Sequence, residues 1–190
     1  MIVVLLGPPG AGKGTQANIL CKSKEFFHFS TGDILRDEIK KKSEIGQKIE
    51  SIINAGKLVG DEIIIKIVEK ILSEELSRNK GILFDGFPRN VDQARGFEEL
   101  LKKKKQKIDC VIHILIDEEE IIKRIQKRQS EENRDDDNVD VLKSRLDVYS
   151  KETTPLIDLY KKKNILKTID GMKSIENVNN DTKECFKELL

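Results

Sequence analysis

Gly7-Pro8-Pro9-Gly10-Ala11-Gly12-Lys13-Gly14-Thr15 follows an apolar run, Ile2 to Leu6, and precedes a helical pattern. Glycines at this spacing let successive backbone N–H groups turn inward onto phosphate oxygens. The next helix adds its positive N-terminal end, and Lys13 adds a point charge. The segment is a nest for a polyphosphate. The general phosphate-loop pattern has Ser or Thr directly after the lysine, whereas here Gly14 stands there and the hydroxyl is delayed to Thr15. Lacking that hydroxyl, a Mg²⁺ ion would keep most of its waters and be held through the phosphates, with Asp85 as an outer-shell carboxylate and no direct protein ligand.

Further cations are spread along the chain. Arg36 follows Ser30-Thr31, either of which can cap a helix over Ile34 and Leu35 and leave the arginine near that helix as a phosphate ligand. Arg124 and Arg128 lie four apart, on one face of a helical pattern. Brought together with Lys13, these cations would make a strongly positive cleft in a chain of almost no net charge.

The elements that must position these residues alternate short β-branched runs with longer amphipathic stretches, the pattern of βαβ units around a parallel sheet. The predicted strands are 2–6, 27–29, 82–84, 111–116 and 165–169. A helix is predicted with Asp61 as its N-cap and Ile64, Val68, Ile71 and Leu72 on one face. Another runs through Val139, Leu142, Leu146, Tyr149, Thr153, Leu156 and Tyr160, which step alternately by three and four. Asp137 or Asn138 can cap it, and Pro155 predicts a kink or break because proline lacks the N–H that bonds four residues back. If the first and third strands are neighbours, Asp85 faces the phosphate loop.

The chain has 190 residues, Lys+Arg 35 against Asp+Glu 34, and is 36% charged and 37% hydrophobic. That length predicts one domain burying about 70% of the surface its unfolded chain would expose. A net charge of +1 gives no general attraction to nucleic acid or acidic membranes. No apolar run approaches the roughly 18 residues that span a bilayer. Lys102 to Lys105 and Lys161 to Lys163 fall at predicted helix ends, where lysine suits the dipole and solvent. Cys21, Cys110 and Cys185 are widely spaced, without a Cys-x-x-Cys pair; they read as small buried hydrophobes in a reducing compartment. The strand-like run starting straight after Met1 leaves no room for a removable leader, so a cytoplasmic location is expected. An Asn-Lys-x-Asp guanine motif, which a GTPase switch would need, is not formed: Asn79-Lys80 continues Gly81-Ile82.

The phosphate loop, together with Ser30-Thr-Gly-Asp-Ile-Leu-Arg36, Asp85-Gly-Phe-Pro-Arg89, Arg134-Asp-Asp, Arg145-Leu and Thr154-Pro-Leu-Ile157, resembles adenylate kinase in order and spacing across nearly the whole chain. The resemblance implies an α/β fold of the P-loop NTPase type with a five-stranded parallel sheet. It also implies a core of 1–29, 60–127 and 138–190, a helical monophosphate-binding insert over 30–59, and a short lid over 128–137 without structural zinc. It implies Mg²⁺-dependent phosphoryl transfer from ATP to AMP, in a monomer. Gly10, Ala11, Gly12, Lys13, Gly14, Thr15, Arg124, Arg128 and Lys173 would bind ATP. Thr31, Arg36, Lys57, Leu58, Val59, Gly86, Phe87, Pro88, Arg89, Gln93, Arg134 and Arg145 would bind AMP. Lys13, Arg89, Arg124, Arg128, Arg134 and Arg145 would act on the transferred phosphoryl group.

Thr31 with Gln93 is the adenylate kinase pairing, and a Gln amide offers a donor and an acceptor together, matching the paired edge of adenine. Asn90 is commoner in the similar uridylate-cytidylate kinases, which stand as the alternative, as does a GTP:AMP phosphotransferase; a non-catalytic nucleotide-binding switch is the alternative of another class. An AMP phosphate is already ionised at pH 7, so no general base is required, and His28 and His113 are expected to be structural.

Overall fold

Ile2–Leu6 (β1), Phe26–Ser30 (β2), Gly81–Asp85 (β3), Cys110–Leu115 (β4) and Leu166–Asp170 (β5) form one all-parallel sheet in the order β2-β3-β1-β4-β5 in the computed structural model, which describes residues 1–24, 26–132 and 135–187. β1 and β3 are buried at every position because helices cover both faces, which is why their sequences are continuous apolar runs. All five predicted strands are present, with ends shifted by one residue or so.

Among the described residues there are nine α-helices: Lys13–Lys24 (α1), Thr31–Lys40 (α2), Glu44–Asn54 (α3), Asp61–Glu75 (α4), Val91–Lys103 (α5), Glu118–Glu132 (α6), Val139–Val148 (α7), Pro155–Lys162 (α8) and Ile175–Lys187 (α9). α2 and α3 fill the predicted insert. Ser30 caps α2, its hydroxyl accepting from the Asp33 N–H. Asn138 caps α7. The break expected at Pro155 is real and has a defined form. α7 gives way to a π-turn over Tyr149–Thr153, and Pro155 then opens α8 at a position whose N–H needs no partner.

On one face of the sheet, Phe29, Phe84, Phe87 and Phe97 pack as tilted and edge-on rings with centroids 4.7 to 6.3 Å apart. The cluster anchors the segment after β3 from beneath. One expectation is corrected here. Gly60, not Asp61, is the N-cap of α4, and the Asp61 carboxylate points to α5 instead. Phe87 is fully buried in the aromatic cluster, so its ring is core and only its backbone can face a ligand.

Candidate active site

Parallel β-strands open their C-terminal ends on one edge, and the first, second and third strands deliver the phosphate loop, Thr31 and Asp85 to the same place. Gly10 and Gly12 take φ of +81° and +89°, backbone that side chains resist, so the loop can fold tightly round its centre. The Lys13 ammonium donates to the carbonyls of Gly7 (2.8 Å) and Pro8 (3.0 Å). Burial lowers its pKa to about 8; Asp85 opposes the shift, while Arg89, Arg145 and Arg128 add to it.

Asp85 pairs in register with Leu5 of β1, as expected if β1 and β3 are neighbours. Its Oδ2 lies 3.5 Å from where a Cβ on Gly14 would be, so a side chain at Gly14 would touch the carboxylate. His28 Nε2 is 3.5 Å from the same oxygen and makes no hydrogen bond, while Nδ1 meets Asn18 Oδ1 at 3.2 Å. Among the described residues no group of three or more His, Cys, Asp or Glu side chains could hold a metal ion. A lone carboxylate beside the loop fits a cation held through phosphate and water.

Two adjoining cavities extend from this loop. One, of about 540 Å³, is lined by Gly7, Pro9, Lys13 and Pro88, and reaches Tyr149 and Thr153. The other, of about 570 Å³, is lined by Thr31, Arg36, Lys57, Leu58, Val59 and Gln93. Gly56, Leu58, Gly86, Arg89 and Arg145 belong to both walls. The shared guanidiniums therefore stand where the two spaces meet.

Residues 5–165 match the profile of the adenylate kinase family. The chain is 48% identical over 184 residues to an adenylate kinase of Prochlorococcus marinus, covering 97% of each. It is 44% identical over 178 residues to that of a Caulobacter species, covering 94% of each, and 40% identical over 188 residues to that of Hyphomonas neptunium, covering 99% of each. The chain belongs to the adenylate kinase family. It is a nucleoside monophosphate kinase and an ATP:AMP phosphotransferase on the P-loop NTPase fold.

For an adenylate kinase of this kind the disposition of the arginines matters most. Arg89 Nε donates to the Gly86 carbonyl at 2.8 Å, and the Arg89 carbonyl accepts from Thr153 Oγ1 at 2.7 Å, which is where the π-turn enters the site. Burial lowers the Arg89 pKa, Asp85 and Asp136 opposing and Arg36 adding. Arg145 NH1 donates to the Asp136 carbonyl (3.0 Å), Asp136 Oδ2 (3.1 Å) and Asp137 Oδ1 (3.0 Å). Burial brings its pKa to about 10; Asp136 and Asp137 hold it up, while Arg128 and Arg89 push it down. Arg128 grips Asp137 through Nε and NH2, both at 2.6 Å. Arg36 pairs with Asp33 (2.5 Å) and approaches Asp136 (3.8 Å).

The cleft is thus less positive than a count of its cations implies. Lys13, Arg36, Arg89, Arg128 and Arg145 face Asp85, Asp136 and Asp137, all three buried. In the sequence, Asp136 shows only as the end of the Arg134-Asp-Asp motif and Asp137 only as a candidate helix cap. Their role as fixed counter-ions follows from a short 3₁₀ turn, Asp135–Asp137, that no periodicity announces. Arg134 itself lies outside the described residues.

The remaining expected residues divide. Thr31 Oγ1 donates to the Gly86 carbonyl at 2.6 Å and tethers α2 to the segment after β3. Arg124 reaches the phosphate loop, its NH1 3.9 Å from a Cβ position on Gly12, and it also bonds Glu120 and the Gly171 carbonyl at 2.8 and 2.9 Å. Thr15 is exposed on the first turn of α1. Lys173 turns away to Asp181 of α9 at 2.7 Å, a bond that raises its pKa, so its side chain is engaged outside the cleft. His113 is buried, with Nε2 3.3 Å from Tyr149 Oη; burial, then Lys13, lowers its pKa. Asn90 caps α5, its Oδ1 accepting from Gln93 N at 2.7 Å, and its amide faces Asp61. The residue type that suggested a pyrimidine acceptor is occupied with helix and neighbour.

Proposed function

We propose that ATP lies along the phosphate loop, AMP fills the cavity between Thr31 and Gln93, and the γ-phosphoryl group crosses at Arg89 and Arg145. The junction of the two cavities at those arginines carries the assignment. The Gly10 to Thr15 backbone and Lys13 cradle the donor phosphates, with Arg124 and Arg128 over them. Arg36, Arg89 and Arg145 take the AMP phosphate, and Lys57 to Val59 and Gly86 to Pro88 contribute backbone walls. An AMP phosphate oxygen forms the new bond to the γ-phosphorus as the bond to the β,γ-bridging oxygen breaks, giving two ADP. No proton has to leave the nucleophile, so positioning and positive charge on the equatorial oxygens are what the side chains supply.

Asp85 would help hold Mg²⁺ through water, and the ion would supply neutralisation of phosphate charge. Asp136 and Asp137 fix Arg145 and Arg128 in one geometry before substrate arrives, at the expense of some net charge. Segment 30–59 and the described lid residues 128–132 and 135–137 close on substrate. The approach of Arg36 to Asp136, at 3.8 Å, supports this. Closure keeps water from the phosphoryl group.

Every group assigned here comes from one chain, which fits a monomer. Three cysteines that form no disulfide fit a reducing cytoplasm. Among the described residues no helix is long and apolar enough to cross a membrane. The test is initial rates with MgATP and each of AMP, UMP, CMP, dCMP and GMP, beside a control without acceptor. Strong preference for AMP with little background hydrolysis is expected; preference for UMP or CMP would overturn the assignment of Gln93 to the base.

A further inference from the structure

Gln93 sits at the wall of the acceptor cavity and is almost wholly buried. A Gln amide can flip, exchanging its donor for its acceptor, and a flipped amide would suit guanine or hypoxanthine as well as the original suits adenine. Something must therefore decide which end is which. Gln93 Oε1 accepts from the Arg89 backbone N–H at 2.8 Å, and Nε2 donates to Asp61 Oδ1 at 2.7 Å. A backbone N–H only donates and an ionised carboxylate only accepts, so exchanging the two ends of the amide would break both bonds and set like poles together.

Asp61 is itself constrained. Asn90 Nδ2 donates to both its oxygens, at 3.2 and 3.3 Å, and the Asn90 amide is oriented in turn because Oδ1 accepts from the Gln93 backbone N–H. Hydrogen-bond donation runs inward from two backbone N–H groups, through the Asn90 and Gln93 side-chain amides, and converges on Asp61. Backbone donors at both ends cannot reverse. Each end of the Gln93 amide keeps one further valence, a lone pair on Oε1 and an N–H on Nε2, in a fixed order.

We propose that Asp61 is a positioning residue for acceptor specificity, locking the Gln93 amide in the orientation that suits the N1 acceptor and 6-amino donor of adenine and opposes the reversed pair of hypoxanthine and guanine. This rests on the assignment of Gln93 to the acceptor base. It also gives Asp61 the role that its failure to cap α4 leaves open.

The experiment measures kcat/KM with MgATP for AMP, IMP and purine riboside 5′-monophosphate, which keeps the N1 acceptor but lacks any 6-substituent. In the unaltered protein the expected order is AMP, then purine riboside monophosphate, then IMP, since a locked amide meets IMP with donor against donor. IMP equal to or better than purine riboside monophosphate would mean that the amide flips, and would overturn the proposal without any variant. Asp61→Ala, which removes the acceptor shared by Asn90 and Gln93, is expected to lower the AMP:IMP ratio on the order of tenfold, through KM of the acceptor and with KM for ATP unchanged. An equal loss for AMP and IMP would show a merely structural residue and overturn the lock. Gln93→Ala separates the two levels. If it leaves the AMP:IMP ratio unchanged, Gln93 does not read the base and both assignments fall. If it lowers the ratio, the base assignment stands, and Asp61→Ala added to it is expected to have no further effect on the ratio; a further tenfold fall would show that Asp61 acts by another route.

Discussion

The two ends of the cleft solve opposite problems with different chemistry. At the phosphate-loop end, Lys13, Arg89, Arg128 and Arg145 are full charges, each held by a carbonyl or carboxylate. At the other end, proposed to hold the acceptor base, Thr31 and Gln93 are neutral dipoles held by backbone and by Asp61. Charge acts over several ångströms and serves a phosphate whatever base it carries. A dipole matters only if its direction is fixed. One end should therefore set how fast the group moves, and the other which acceptor receives it.

The largest expected effect is at the phosphate loop. Lys13→Ala should lower kcat by on the order of a thousandfold for every acceptor alike, with circular dichroism unchanged, as steady-state rates would show. Next comes Arg145→Lys, which keeps a charge but loses the planar guanidinium whose NH1 is shared by Asp136 and Asp137; about a hundredfold loss in kcat/KM is expected, again without changing acceptor ratios. A change in ratios from either variant would break the division between the ends.

Lys13 also predicts a pH response. With its pKa at about 8 in the folded protein without nucleotide, kcat/KM for ATP should fall as pH rises through about 8. The stability sign runs the other way. A cation whose pKa is lowered on folding is unfavourable while both states are protonated, and that penalty disappears between about 8 and the ordinary 10.5. Relative to Lys13→Met, the unaltered protein should therefore gain stability across that window in denaturant titrations.

How far the sequence reveals each end follows from the physics. The phosphate loop is continuous in sequence and its glycines have one structural meaning, so its place after β1 and beside Asp85 can be read directly. Five parallel strands are legible because buried strands must be apolar throughout. The counter-ions Asp136 and Asp137 are not, since a three-residue turn has no period and only the fold brings it to Arg145. Asp61 looks like a helix cap because Asp often caps; that Gly60 takes the cap and Asp61 turns to Gln93 depends on α4 and α5 lying side by side. Phe87 sits within a substrate motif, yet its ring belongs to the core, as an aromatic beside three others would.

The smallest expected effects lie at the base end. Gln93→Ala should raise KM for AMP and cost the AMP preference roughly tenfold, with much less change in kcat, measured against UMP and CMP. Asn90→Ala removes the α5 cap and should cost about 1 kcal/mol, a Tm lower by roughly 2–4 °C by calorimetry, while AMP remains the preferred acceptor. If Asn90→Ala moved the preference toward UMP or CMP, the base end would extend to Asn90 and the comparison would need redrawing.

The most direct test of the divided cleft is kcat/KM for AMP, UMP, CMP and GMP measured side by side in the unaltered protein, Arg89→Lys and Gln93→Ala. The account predicts that Arg89→Lys lowers all four by a common factor and that Gln93→Ala compresses the differences among them. Ratios that shift in Arg89→Lys, or stay fixed in Gln93→Ala, would contradict it.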